Sequence, residues 1–377
     1  MALRPAWAEV DRAAIRHNTR LVVERVAPAQ VCAVVKAHGY GHGPVQVADA
    51  ALRAGATWLG VALVEEGAHL RSAGQFTEPI LLLSEPPCSQ MDDVVAHGLT
   101  PTLYTPAAVD AAAKAVAASA RREPLPVHVK VDSGMHRVGA SPEAAVRLAL
   151  AVHDSPELRL EGLWTHLAVA DEPDHPFTTT QVQRFDAVVD ALATHGVRPE
   201  LLHAANSAAA LTRPDARYDM VRCGIALYGL APSPELDGVA DLHPALTLKA
   251  RVALVKRVDA GEAVSYGLRY RFDRDSHVAT VPIGYADGVP RRLGAVGGEV
   301  LIGGRRRPIA GTVTMDQITV DCGDDDRVAV GDEVVLVGRQ GADEISAWDW
   351  ATRLDTIAYE IVSGISRRSR STTRELP

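Results

Sequence analysis

The chain has 377 residues, 47 % of them apolar and 23 % charged, and a formal net charge of −8. That balance predicts a soluble globular protein of about two domains and gives no reason to expect nucleic acid as the main partner. No apolar stretch approaches the ~20 residues of a membrane span, and Ala2 to Trp7 lack the basic start and apolar run of a signal peptide, so the expectation is a cytoplasmic protein with no membrane partner.

In chain order, the first element is an extended segment, Ala6–Val10, and the pattern leaves open which domain it joins. Eight apolar or β-branched runs follow as predicted strands: Val31–Ala37, Thr57–Leu63, Pro79–Ser84, Leu99–Thr105, Val127–Asp132, Leu160–Leu167, Leu201–Asn206 and Met220–Tyr228. Between them lie helical patterns such as Pro44–Ala54, Pro106–Ala120, Ser141–His153 and Thr178–His195. Pro44 and Pro106 suit a first helical turn, and Gly196 suits a stop. Eight βα units within about 220 residues predict a closed (βα)8 TIM barrel over residues 1–240. Residues 241–377 then read as a β-rich C-terminal domain. Its predicted strands are Ala245–Val258, His277–Tyr285, Glu299–Ile302, Arg307–Val320 and Glu333–Val337, with a hairpin turn at Gly303-Gly304. One late helix, Ser346–Ser363, opens with Ser346 and Asp349 in capping-box spacing. The polar tail Ser366–Pro377 reads as a solvated frayed end.

The four cysteines, Cys32, Cys88, Cys223 and Cys322, have no CxxC spacing and read as reduced thiols. Only five of the 39 basic residues are lysines, and only eight residues are tyrosines. A preference for Arg codons explains the skew, and it makes each retained lysine notable, because only the Lys amine can lose its proton and form a Schiff base. Lys36 ends the first predicted barrel strand, after an apolar run that should lower its pKa. Such a lysine can simply snorkel at a strand end. That reading does not explain Gly39, Gly41 and Gly43, which let backbone approach a ligand, nor the helix start at Pro44, which favours an anion. A reactive amine beside an anion pocket suggests a phosphorylated aldehyde cofactor, pyridoxal 5'-phosphate. His38 and His42 are four apart, but the glycines between them argue against a helix and no third ligand stands nearby, so no metal is expected there. Further polar groups gather at the other strand ends: Lys130 to Arg137, Thr165-His166, His203 to Ser207, and Arg222 to Ile225.

The stretch Val-Val-Lys-Ala-x-x-Tyr-Gly-His-Gly around Lys36 resembles the cofactor-lysine motif of bacterial alanine racemases. The resemblance continues through Lys-x-Asp-x-Gly-Met-x-Arg (130–137), Thr-His-x-Ala-x-Ala-Asp (165–171), Ala-Asn-Ser (205–207), Arg-x-Gly-Ile-Ala-Leu-Tyr-Gly (222–229), Val-Ser-Tyr-Gly (264–267), Gly-Tyr-Ala-Asp-Gly (284–288), Met-Asp-Gln (315–317) and Tyr-Glu-Ile (359–361). These matches run in family order over almost the whole chain. The resemblance implies a racemase that interconverts L- and D-alanine on pyridoxal phosphate, as a homodimer whose subunits share each active site. Lys36 would carry the internal aldimine and serve as one acid/base. Tyr266, from the partner subunit, would be the other. Arg222 would hydrogen-bond the pyridine nitrogen. Tyr40, Asn206, Ser207, Gly224, Ile225 and Tyr359 would complete the cofactor cradle. Arg137 and the Met315 backbone would hold the substrate carboxylate, and His166 would sit against the ring. Asp171, Tyr285, Arg291 and Asp316 would line the substrate entrance.

The chemistry gives reasons for this set. Racemisation removes the α-proton from one face and returns one to the other, so it needs two acid/bases on opposite faces. Tyr266 needs a nearby positive charge to act as a base, and Arg137 is the expected supplier. Arg222 can only donate, which leaves the pyridine nitrogen unprotonated and discourages side reactions. A cationic Lys130 would repel Arg137. The family's carbamylated lysine resolves that conflict, and an ordinary Lys130–Asp132 pair is the alternative. Thr312, Thr314 and Ala358 depart from common family residues near the entrance. The competing readings are a broader amino-acid (serine) racemase, a related barrel decarboxylase, and a non-catalytic pyridoxal-phosphate carrier. Retention of Lys130 and Tyr359 favours alanine over serine, and the second domain with Tyr266 counts against the carrier.

Overall fold

The computed structural model describes residues 4–365 and 370–374. The chain divides into two compact units. The barrel unit comprises residues 14–39 and 44–243, and the β unit comprises residues 1–13, 40–43 and 244–377.

The barrel unit contains eight parallel strands, one at each predicted place. They are β2 (Gln30–Val34), β3 (Trp58–Val61), β4 (Ile80–Leu82), β5 (Thr102–Leu103), β6 (Leu125–Lys130), β7 (Leu158–Trp164), β8 (Leu201–His203) and β9 (Met220–Cys223). Two four-stranded arcs, β4-β3-β2-β9 and β5-β6-β7-β8, carry the regular ladders. A parallel bridge between Leu81 and Thr100 joins the arcs at one seam. Backbone bonds from Asp219 to Leu202 and from Arg222 to Ala205 join them at the other, so the barrel is closed. The strands are shorter than their apolar runs because the run continues past the last ladder bond into the loop that bears the functional residue. The interior is filled by side chains such as Cys32, Leu81 and Met220, which pack with Trp58 and Leu201. Outer helices begin where their caps predict: Thr105 and Ser141 accept the N–H groups of Ala108 and Ala144, with Pro106 and Pro142 in the first turn.

In the β unit, Ala6–Asp11 is strand β1. It pairs antiparallel with β10 (Leu246–Arg251) and parallel with the strand Arg370–Arg374. The predicted frayed tail is therefore corrected over 370–374; the rest of it lies outside the described residues. The predicted strand Ala245–Val258 is two strands in different sheets, β10 and β11 (Leu254–Val258). The chain changes sheet at Val252 and Ala253, whose N–H groups bond to Asp332 and Thr280. The run Arg307–Val320 likewise splits into two strands, Arg305–Pro308 and Ile318–Asp321. The Gly303-Gly304 hairpin forms, with φ of 61° and 72° at the two glycines. The predicted helix Ser346–Ser363 is two helices, Ala347–Leu354 and Ala358–Ser363. Asp355 ends the first in a left-handed conformation (φ 58°), which a short polar side chain tolerates.

Candidate active site

Past the end of β2 the backbone leaves the allowed regions typical of L-residues. Ala37, His38, Gly39, Tyr40 and Gly41 all have positive φ, from 50° to 82°. A left-handed turn of this length is costly for the three non-glycine residues, and such strain persists only where surrounding contacts hold it. Glu66 is one holder: its carboxylate accepts the N–H groups of Ala37 (2.7 Å) and Ala62 (2.8 Å). Tyr228 is another, donating its hydroxyl to the Val34 carbonyl at 3.0 Å. The turn leaves Lys36 half-buried at the strand end and places Tyr40 four residues on.

Within the β unit, Tyr40 faces Tyr359, with ring centroids 6.3 Å apart. Residue 41 must be glycine here, since a Cβ would lie 2.2 Å from the Val362 carbonyl oxygen and φ is +82°. That close approach seats the Tyr40 segment on the short helix Ala358–Ser363 that carries Tyr359.

In the barrel unit Lys36, Lys130, Arg137, Arg222 and His166 share one electrostatic neighbourhood. Burial pulls the Lys36 amine below its ordinary pKa, and Arg137 adds to this while Glu66 opposes it. Lys130 is brought down to about 7 by burial and then by Arg222, Arg137 and Lys36. Its Nζ lies 4.0 Å from the centroid of the Trp164 ring. The Arg222 guanidinium also lies over that ring, at 4.4 Å, so one indole contacts two cations. Asp132, the pairing alternative for Lys130, opposes the lowering of that lysine's pKa as the smallest of its causes. Its oxygens accept the N–H groups of Gly134 and His136 and contact the His136 ring, fixing the loop that leads to Arg137. Burial and the four surrounding cations hold His166 well below its ordinary pKa, as a neutral ring.

Arg222 is buried and remains a cation, with a pKa of about 10. It donates to His203 Nδ1 (2.8 Å) and to the carbonyls of Thr165 (2.8 Å) and Ala204 (2.9 Å). Because arginine only donates, His203 Nδ1 is an acceptor, and the proton of that ring is on Nε2. His203 Nε2–H then donates to His128 Nδ1 (2.9 Å), and His128 Nε2–H to Glu161 (3.3 Å). Glu161 in turn accepts from Arg159 at 2.8 Å. One chain of hydrogen bonds thus crosses β9, β8, β6 and β7 behind Arg222. Gly162 makes room for it, since a Cβ there would lie 2.4 Å from the His128 ring.

Ser207 Oγ accepts from the N–H of Gly224 (2.9 Å) and Ala226 (3.4 Å), drawing Ser207, Gly224 and Ile225 into one loop. The Asn206 side chain caps the helix Ser207–Thr212 by accepting from Ala209. Asp171 is also in the barrel unit, where its carbonyl accepts from Ser233.

Tyr266 belongs to the β unit and is 70 % exposed. Its turn is pinned by Thr312, whose hydroxyl donates to the Tyr266 carbonyl (2.9 Å) and whose carbonyl accepts from Ser265 (2.7 Å). In the same unit Tyr285 and Ala286 bond by their backbones to Thr314 and Met315, so Tyr285 and Met315-Asp316 lie together. Arg291 is exposed five residues after Ala286.

Sequence reasoning did not assign roles to Glu66, His128, Glu161 or His203. His203 stood at a predicted strand end, which was its one available signal.

A family model described as "Alanine racemase, N-terminal domain" matches residues 10–232, and "Alanine racemase, C-terminal domain" matches residues 245–373. The alanine racemase of Symbiobacterium thermophilum is 49 % identical over 97 % of this chain and 96 % of its own. That of Thermobifida fusca is 47 % identical over 96 % of each. The solved alanine racemase from D-cycloserine-producing Streptomyces lavendulae superposes with a TM-score of 0.93 at 39 % identity, covering 100 % of this chain and 99 % of that one. A closed barrel with a strained lysine turn, a β unit with its pinned tyrosine, and likeness over both together place the chain in the alanine racemase family.

Proposed function

We propose that the protein is a cytoplasmic pyridoxal-phosphate-dependent alanine racemase that interconverts L- and D-alanine. The observation that carries this reading is the Lys36 amine, half-buried and lowered in pKa by burial and Arg137, at the mouth of a strained glycine-rich turn. Lowering the pKa of an amine raises the share of it that is unprotonated and nucleophilic.

The residues suit the cofactor. The neighbourhood is strongly cationic, and its nearby carboxylate, Glu66, is saturated by backbone N–H groups, so an anion is the fitting ligand. Arg222 keeps a donor in reserve: its protein acceptors use NH1 and NH2, and Nε has none among the described residues. In the barrel unit the Ser207 hydroxyl is a donor of the kind a phosphate group requires, and the family resemblance adds Gly224, Ile225, Tyr40 and Tyr359 to the phosphate-binding set.

Pyridoxal phosphate, when bound, supplies an aldehyde that links to amines and a ring that acidifies the α C–H bond of the amino acid. Lys36 takes or returns the α-proton on one face. Tyr266 of the partner subunit does so on the other face through its phenol oxygen. Arg137 binds the substrate carboxylate together with the Met315 backbone N–H. Arg222 would hold the ring nitrogen as a hydrogen-bond donor and would leave it unprotonated at neutral pH, since its own proton is held with a pKa of about 10. The neutral Lys130 amine accepts carbon dioxide and releases a proton, and the resulting carbamate anion pairs with Arg137.

The test is to supply the purified chain with pyridoxal phosphate and follow the optical rotation of L-alanine. Loss of rotation with a yellow protein is expected, and Lys36→Ala should abolish cofactor attachment. A chain that remains colourless after reconstitution contradicts the reading.

A further inference from the structure

We propose, on the roles given above to Arg137 and His166, that Gln181 is a positioning residue for the reaction: it clamps the segment that carries His166 to the loop that carries Arg137. Gln181 lies on the helix Phe177–Thr194 and is fully buried, an unusual place for an amide side chain. Its oxygen accepts the N–H of Ala168 (2.8 Å). Its Nε2 donates to the His166 carbonyl (3.0 Å) and to Ser133 Oγ (3.2 Å). The oxygen and both N–H groups are thus in use. A flipped amide would set donor against donor at Ala168 and acceptor against acceptor at His166.

The neighbouring hydroxyl protons follow in turn. Thr165 Oγ1 donates to the Val131 carbonyl (2.9 Å), so its one proton is committed. Ser133 Oγ, 2.7 Å from Thr165 Oγ1, is therefore the donor of that pair and the acceptor of the Gln181 N–H. A directed chain runs from Gln181 through Ser133 and Thr165 to Val131, and all three polar side chains are buried. Thr165 also gives its carbonyl to Arg222 (2.8 Å).

The same helix meets the loop at two more points, because residues 177, 181 and 184 share one face. Arg184 donates to the Ser133 carbonyl (3.1 Å). The Phe177 ring covers Gly134, where a Cβ would lie 2.7 Å from it. Ser133 and Gly134 open the loop to Arg137, and Asp132 holds the N–H groups of Gly134 and His136. A loop pinned in this way presents Arg137 in one place before substrate arrives. The substrate carboxylate then meets a preorganised partner, and little ordering cost is left for binding.

The test uses the cofactor-loaded enzyme and propionate, which has the carboxylate of alanine without the amine. The propionate Kd is read from the visible spectrum of the bound cofactor in the wild type, Ser133→Ala, Gln181→Leu and Gln30→Leu, with KM, kcat and Tm beside it. Gln30, at the start of β2 and so at the other end of the barrel, accepts from Trp58 Nε1 (3.1 Å) and serves as the control for a lost hydrogen bond away from the site. Ser133→Ala is expected to raise the propionate Kd and the alanine KM about three- to tenfold, the effect of one lost positioning hydrogen bond, with kcat within about twofold. Gln181→Leu should raise both at least as much and also lower kcat, since the His166 carbonyl loses its donor. Gln30→Leu should lower Tm and leave Kd and KM unchanged. The Ser133→Ala result decides by itself if Gln181→Leu fails to fold. A wild-type chain that stays colourless overturns the racemase reading and this proposal with it. A yellow, active wild type whose Ser133→Ala variant binds propionate unchanged, or whose Gln30→Leu variant weakens propionate equally, overturns this proposal alone.

Discussion

At neutral pH four basic side chains cannot crowd one half-buried neighbourhood and all stay charged. Lys130, at about 7, is the one poised to lose its proton. The sign of the resulting pH dependence follows from linkage. The folded pKa lies below the ordinary 10.5, so the unfolded chain binds the extra proton between about 7 and 10.5. Stability therefore rises with pH across that window. In bicarbonate-free buffer, the wild-type chain should gain stability relative to Lys130→Met from pH 7 to pH 10, measured by urea unfolding. A parallel pH dependence of the two would contradict the Lys130 assignment. Lys130→Ala should also cut kcat and be partly rescued by a short carboxylate such as acetate, which would replace the proposed carbamate charge beside Arg137. Thr312 has a different use. Thr312→Val removes the donor to the Tyr266 carbonyl and should lower kcat severalfold with little change in Tm, as steady-state kinetics will read. Lys36 and Tyr266 were legible in the sequence because lysine and tyrosine are scarce and both stand in motifs. Glu66 was not, because its role is to accept backbone N–H groups in a turn whose left-handed geometry no periodicity announces.

The strands set the reach of each side chain. Arg222, His203, His128 and Glu161 lie on four strands, and their contacts span 19, 75 and 33 residues of sequence. Strand patterning placed the four segments, but pairing across the barrel chose which side chains meet, so this hydrogen-bond chain could not be read beforehand. Its energetic weight is testable. His128→Leu leaves the buried His203 Nε2–H without an acceptor, which should cost about 1–3 kcal/mol in urea unfolding. Adding His203→Leu should cost less than the sum of the two single changes, because the residues act as one network. Additive effects would show that the chain is not coupled. The late helix makes the same point about elements. Its apolar pattern runs unbroken from Ser346 to Ser363, yet Asp355 splits it, and the split puts Tyr359 in the first turn of a separate helix. Gly41→Ala should push that helix away through the Val362 carbonyl and weaken cofactor binding, measured by fluorescence titration.

Over the whole molecule, the proposed acid/base pair is divided between two units, with Lys36 in the barrel unit and Tyr266 in the β unit. In the proposed homodimer each active site takes Lys36 from one subunit and Tyr266 from the other. Mixing inactive Lys36→Ala and Tyr266→Phe chains by unfolding and refolding together should restore about a quarter of the wild-type sites, since half of the dimers carry one intact site. No recovery would contradict sharing. The central claim is that Lys36 and Tyr266 serve opposite faces of the amino acid. Its most direct measurement is α-deuterium exchange in D2O by Tyr266→Phe, started separately from L-alanine and from D-alanine and followed by NMR. Exchange should persist from one enantiomer and be strongly slowed from the other; equal exchange rates from both would contradict the opposed pair.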